Sequence, residues 1–300
     1  MKISDFRLDR SLSTRVFHPL GRAGSTRTSR LPILMYHSLS DNPEHEVPPY
    51  YRTSTDPLIF RQQMRFLAAE GYKTMDLTQV ISRLQNERSF PEKTVVITFD
   101  DGLKDFYLQG FPIIKELGFQ ATVFLPTALI GDERRSFKNN ECLTWAEVRE
   151  LRKAGIGFGS HTVNHPQLKD LTGREIEGEL VESKARIEQE LGEPMSLFSY
   201  PYAFPQEDRS FAESFRQLLI QCGYACCVTT EIGRVRAGDD PYRLKRLPAN
   251  SLDDPALFRA KLEGGYDWLA VPQALLKKLK RQFRPSKNGI SPPIGRLTSS

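Results

Sequence analysis

The chain lacks the features that mark a non-globular or membrane-spanning protein. Cysteine occurs only four times in 300 residues (Cys142, Cys222, Cys226, Cys227), which excludes a disulfide scaffold. Glycine and proline, 20 of each, are too few for a collagen-like or low-complexity chain. The longest uninterrupted apolar run, residues 31–36, holds about six residues where a membrane span needs roughly 20. No sequence repeat is visible at the 20–50 residue periods of solenoids. No histidine follows His165, and no acidic residue follows residue 270.

What is present is an ordinary globular composition, 39% hydrophobic and 26% charged, long enough for a substantial core. The net charge of +5 is unevenly spread. Residues 1–30 carry +5 and residues 271–300 carry +7, which leaves the body at −7. A nucleic-acid enzyme should carry its basic surface on the folded body, so no nucleic-acid partner is expected. Three parts follow: a basic N-terminal tail (1–30), a slightly acidic body (31–268) and a basic C-terminal tail (269–300). The stretch 275–281 can form a short amphipathic basic helix, so peripheral membrane contact is one expectation and a solvated helix the other. No apolar central region of a secretory signal is seen near the start, and the expected location is cytoplasmic. Oligomeric state is not readable.

Short apolar runs at 33–37, 95–99, 121–125, 156–160, 197–201, 225–229 and 243–248 alternate with helical patterns. Several are continuously apolar, as strands covered on both faces are. Thr144 with Glu147, and Thr172 with Glu175, have capping-box spacing at helix starts. Residues 41–56 and 130–141 are polar loops or insertions. The pattern predicts an α/β fold, an irregular (β/α)7 TIM-like barrel in one domain, with an open doubly wound sheet as the alternative. Both place chemistry at the carboxyl ends of the strands. Cys226 and Cys227, in an apolar run, read as core residues.

Polar clusters fall at those strand ends. Asp100 and Asp101 follow the run 95–99. Two adjacent carboxylates there are costly to bury without a task. One can bind a cation while its neighbour acts as a base. His161 and His165, at i and i+4, share one face if residues 161–165 make a helical turn, and that spacing suits two imidazoles on one metal. A His-His-Asp set leaves coordination positions open, as catalytic sites do.

These residues resemble the polysaccharide deacetylases of carbohydrate esterase family 4, the group with the NodB homology domain. The matching pieces are Thr98-Phe99-Asp100-Asp101-Gly102, Ser160-His161-Thr162 with His165, Pro32 to His37, and Tyr200-Pro201-Tyr202. The resemblance runs from about residue 31 to about 265. It implies that Asp101, His161 and His165 hold a divalent metal, with zinc as the expected ion. It makes Asp100 the base that takes a proton from the attacking water. It assigns the Tyr202 backbone N–H to the oxyanion, with Pro201 fixing the turn that aims it and both residues in the substrate-binding wall. The implied partner is an N-acetylated glycan, and the implied reaction is loss of acetate from an amino sugar.

Two departures need replacements. The family's usual arginine, two residues before the proline of the third motif, is Ser199 here, and Arg246 is proposed to orient Asp100 instead. The late histidine that supplies the general acid is absent. His37, as in the rearranged poly-N-acetylglucosamine deacetylase-like subgroup, fills that role. Asp239 and Asp240 read as solvated, and His18 and His45 receive no role. The rivals are an O-acetyl polysaccharide esterase, a facial-triad iron oxygenase and a non-catalytic glycan binder.

Overall fold

The computed structural model describes residues 7–23, 30–41, 44, 46–48 and 51–282; His45 and residues 283–300 of the C-terminal tail lie outside them. Seven parallel strands form the barrel: β1 (Ile33–Tyr36), β2 (Thr94–Phe99), β3 (Thr122–Leu125), β4 (Gly157–Ser160), β5 (Leu197–Ser199), β6 (Cys226–Ile232) and β7 (Leu244–Pro248). All seven coincide with the apolar runs read from the sequence. Each pairs with its chain neighbour, and β7 returns to β1 through Leu34 opposite Leu247 and Met35 opposite Pro248. The ring is therefore closed. A two-residue strand, Lys73–Thr74, adds to the start of β2. The irregular joints are narrow: β4 meets β5 at Ser160–Phe198 alone, and β6–β7 shifts register between Leu244 and Arg246.

Every residue of β1 and β2 is buried, because the barrel interior covers one face and helices cover the other. The helices are α1 (Pro57–Ala69), α2 (Leu77–Gln85), α3 (Phe111–Glu116), α4 (Trp145–Lys153), α5 (Gly173–Leu191), α6 (Arg209–Gln221), α7 (Pro255–Glu263) and α8 (Ala270–Gln282). Their starts follow from capping chemistry. Thr144 and Thr172 make the two expected capping boxes with Glu147 and Glu175, and Asp76 makes a third with Gln79. Each satisfies backbone N–H groups that a helix cannot pair internally. An aromatic cluster locks α1 to the barrel: Tyr36, Phe60 and Phe99 lie 5.1–5.6 Å apart, and the Tyr36 hydroxyl donates to Gln63 at 2.7 Å. Gly159 has no alternative, since a Cβ there would lie 2.5 Å from the Phe124 ring.

Three features differ from the sequence reading. Part of the N-terminal basic stretch is helical from Leu8 to Ala23 and docks on the end of the chain. Arg7 donates to the Leu252 carbonyl at 2.9 Å, Tyr266 donates to Asp9, and His18 pairs with Glu263 at 2.8 Å. Charge alone suggested a tail, whereas Leu12 and Ser13 pack, and Phe17 stacks on Trp268 at 5.0 Å. The polar insertion 130–141 contains a hairpin, Ser136–Phe137 against Asn140–Glu141, whose two tip residues, Lys138 and Asn139, both have positive φ (48° and 66°). That is the backbone a two-residue primed turn requires. Asp239 and Asp240 are half-buried and paired rather than solvated, with Arg236 and Arg216, each at 3.1 Å. All four cysteines are free.

Candidate active site

The mouth of the barrel is built by residues just past the strand ends. After β2 the chain turns sharply, with Asp101 and Gly102 both left-handed (φ 70° and 58°). Gly102 is required, since a Cβ would meet Leu125 at 2.9 Å. This turn sends the two adjacent carboxylates to different partners.

Asp100, 2% exposed, faces inward. Arg246 reaches it from β7, with Nη1 donating to Oδ1 at 2.8 Å and Nη2 to Oδ2 at 2.7 Å. The guanidinium is itself fully buried and is fixed from behind, with Nε donating to the Thr229 carbonyl at 2.9 Å and Nη1 to Thr98 Oγ1 at 3.3 Å. Ser199 Oγ donates to Asp100 Oδ1 at 3.1 Å and accepts from Arg246 Nη2 at 3.1 Å. Burial opposes the charge on Asp100, but Arg246 first, with His161 and His37, outweighs it and holds the carboxyl at about 2. A fork-shaped pair of this kind fixes orientation as well as charge.

Asp101 points the other way, towards His161 and His165 at the mouth of β4. Its Oδ1 lies 3.5 Å from His161 Nε2 and 3.2 Å from His165 Nε2. One ligand atom from each of the three residues falls within 4.8 Å of the others. Asp101 Oδ1 and His161 Nε2 are buried yet make no hydrogen bond. Burial works against the Asp101 charge, and the two imidazoles nonetheless hold its carboxyl well below the usual range. Burial lowers His165, with Asp101 pulling the other way. His161 Nδ1 is 2.8 Å from the Ser199 carbonyl. Nδ1 must donate there, which leaves Nε2 as the ring atom that faces Asp101. Buried polar atoms that converge without a hydrogen bond make a donor set that could hold a cation.

The expected helical turn over 161–165 is absent. Thr162 and His165 are left-handed (φ 72° and 54°), so the two imidazoles converge through a folded loop. Side chains hold this loop. Ser160 Oγ accepts from Thr162 N at 3.1 Å, Thr162 Oγ1 accepts from His165 N at 2.9 Å, and the Glu179 carboxylate accepts from Val163 N and Asn164 N at 2.7 and 3.0 Å. With Asp101 and Tyr202 (φ 58°), four residues at this one mouth are left-handed without being glycine. Such strain persists only where surroundings enforce it.

His37 follows β1, with its Nε2 3.8 Å from Asp100 Oδ2. It is half-buried. Burial lowers its imidazolium, against the pull of Asp100 and Asp101. Pro201 and Tyr202 follow β5. The Tyr202 ring is 44% exposed and stands 4.5 Å from the His165 ring. The Phe137 ring lies 5.0 Å from that of His165, and Lys138 Nζ sits 4.5 Å over the Phe137 ring and 5.4 Å over that of Tyr202. Pro201 and Tyr202 border a cavity of about 490 Å³ that runs to Lys169, Phe211 and Lys277.

Every residue expected at the site is thus at one end of the barrel. Sequence reasoning missed the hairpin residues Phe137 and Lys138, whose only local signal is the Lys-Asn turn. It also missed Glu179, which acts on the loop from mid-helix α5.

A closed parallel barrel with a carboxylate–imidazole donor set at its mouth is a site of the kind that can hold a metal ion. Comparison with known proteins names the group. The family model described as polysaccharide deacetylase matches residues 87–227. YxkH of Bacillus subtilis (strain 168), assigned to the polysaccharide deacetylases, is 30% identical over 238 residues, covering 79% of this chain and 77% of that protein. The poly-β-1,6-N-acetyl-D-glucosamine N-deacetylase of Staphylococcus aureus (strain MSSA476) is 25% identical over 159 residues, 50% of this chain and 54% of its own length. Among solved structures, the deacetylase PplD of Streptococcus pyogenes, in complex with acetate, superposes with a TM-score of 0.68 at 26% identity. That match covers 79% of this chain and 99% of PplD. The chain belongs to the polysaccharide deacetylase family and is a hydrolase of that family.

Proposed function

We propose that the protein removes the acetyl group from an N-acetylated amino sugar in a polysaccharide or glycan precursor, with Asp101, His161 and His165 holding one divalent cation. Two imidazoles and one carboxylate are donors that suit zinc. The ion, when bound, would supply a local positive charge that lowers the pKa of water and stabilises developing negative charge.

The chain's own residues divide the remaining work. Asp100, ionised and aimed by Arg246 and Ser199, takes the proton from the water that attacks the acetyl carbonyl carbon. The oxyanion that develops accepts a hydrogen bond from the Tyr202 backbone N–H, which the turn after Pro201 presents. His37 donates a proton to the sugar nitrogen as the C–N bond breaks. Acetate leaves, and the free amine remains on the sugar. The exposed ring of Tyr202, with Phe137 beside it, offers an apolar face on which a sugar can stack.

One observation carries the reading: a buried carboxylate kept charged by a bidentate arginine, next in the chain to a second carboxylate that meets two imidazoles. The staphylococcal relative's name refers to N-deacetylation of a glucosamine polymer, which supports the choice of an amide. The test is acetate release from N-acetylglucosamine oligomers, with and without chelator. Activity that survives chelation and also survives Asp100→Asn would sink the proposal.

The lowered imidazolium of His37 favours a second reading, an O-acetyl esterase, because an alkoxide leaves with less help from an acid than an amine does. An acetylated xylan and an N-acetylglucosamine oligomer, assayed side by side, separate the two. The amide reading expects the larger His37→Ala defect on the oligomer.

A further inference from the structure

Helix α8 carries its polar and apolar residues in the reverse of the usual order. A surface helix normally buries its apolar stripe. Here the polar residues face the barrel: Gln273 accepts from Ile232 N and donates to the Thr230 carbonyl, both at 3.0 Å, and Lys277 Nζ donates to the Phe204 carbonyl at 2.8 Å. Val271, Leu275 and Leu276 face outward, 64%, 56% and 58% exposed. Lys278 is exposed beside them.

The N-terminal helical stretch carries exposed apolar residues too and meets the segment before α8. Leu8, Val16, Phe17 and Leu20 are all exposed, and Phe17 stacks on Trp268, two residues before α8. Of thirteen large hydrophobic side chains exposed among the described residues, seven therefore lie in these two stretches. Of the nearby carboxylates, Asp267 pairs with Arg30 and Arg234, Glu263 with Arg259 and Glu231 with Arg243. Residues 271–300 hold seven Lys or Arg and no acid.

We infer that this face docks on an anionic lipid surface. Exposed leucines next to one-signed positive charge are what an interfacial helix presents to acidic headgroups. A second copy of the chain fits less well, because a two-fold contact would set basic segment against basic segment. Lys277, on the barrel-facing side of α8, lines the cavity that Pro201 and Tyr202 border, so the helix that carries the docked face adjoins the mouth of the site.

The test is co-sedimentation of the full chain with vesicles of phosphatidylcholine alone and of equal parts phosphatidylcholine and phosphatidylglycerol. Binding is expected only to the anionic vesicles and should weaken as salt rises. Leu275→Ser with Leu276→Ser should lower the partition coefficient at least about tenfold. Lys278→Glu should lower it by more than the about fivefold expected for losing one basic charge. Neither variant should change the thermal midpoint or hydrolysis of a soluble substrate. Equal binding to neutral and anionic vesicles, or no binding to either, would overturn the inference. So would binding unaffected by the leucine changes. A dimer in light scattering that the leucine changes dissociate would assign the face to a second copy and overturn it equally.

Discussion

Two polar clusters lie side by side in this barrel, and they are finished to different degrees. Around Asp100 the hydrogen bonding is complete: both carboxylate oxygens accept from Arg246, Ser199 joins them, and Thr98 and Thr229 fix the guanidinium. Around Asp101, one residue along, the buried atoms Asp101 Oδ1 and His161 Nε2 face each other without a hydrogen bond. A folded chain rarely leaves buried polar atoms unpaired in this way. In the proposed mechanism this contrast gives proton transfer to one carboxylate and a cation to the other. Each experiment below attacks or refines that division.

The largest effect should come from the unfinished cluster. Asp101→Ala removes one of three ligands, so affinity for zinc should fall by more than about a hundredfold and acetate release should fall to background. Both are read by metal analysis and an acetate assay. Asp100→Asn keeps the shape but not the base. The account predicts a kcat loss of about 10²–10⁴-fold with metal content unchanged.

Arg246→Met strands the buried Asp100 charge. Removing one member of a buried pair costs about 3–5 kcal/mol, measurable by urea denaturation. Arg246→Met combined with Asp100→Leu should recover most of that stability while remaining inactive. The contribution of His37 should be smaller. His37→Ala should slow amide hydrolysis about a hundredfold, with a lesser effect on an acetate ester.

The smallest effect concerns the docked N-terminal stretch. Burial opposes the charges of Asp9 and Asp254, but Arg7 and Arg10 hold both carboxyls below the usual value. A lowered folded value means the stabilisation is present above the unfolded pKa, about 3.9, and is lost as pH falls through the folded one. Proteolysis of this stretch should therefore quicken only as the pH falls below about 4. Arg10→Ala should weaken the pH dependence by no more than about 1 kcal/mol, since its pair with Asp254 is partly exposed.

The barrel was legible because strands covered on both faces are largely apolar, and all seven candidate runs hold strands, β7 doing so despite Lys245 and the buried Arg246. The site was legible where chemistry is local: Asp100 and Asp101 close β2, and His161 closes β4. Arg246 was found by asking what could replace the arginine lost at Ser199, and the structure places its guanidinium on Asp100. Features that depend on non-local packing were not legible. The folded loop from His161 to His165 depends on Glu179 of α5, far along the chain. Phe137 and Lys138 reach the site only because a hairpin carries them there. Docking of residues 7–23 rests on partners such as Trp268 and Glu263 at the opposite end of the chain, which no window of sequence contains.

Zinc titration of the purified, chelator-stripped chain and its two aspartate variants tests the division of labour most directly. One equivalent should bind to the unaltered protein and to Asp100→Asn, and none should bind tightly to Asp101→Ala. Full binding by Asp101→Ala, or loss of the ion from Asp100→Asn with its fold intact, would contradict the account.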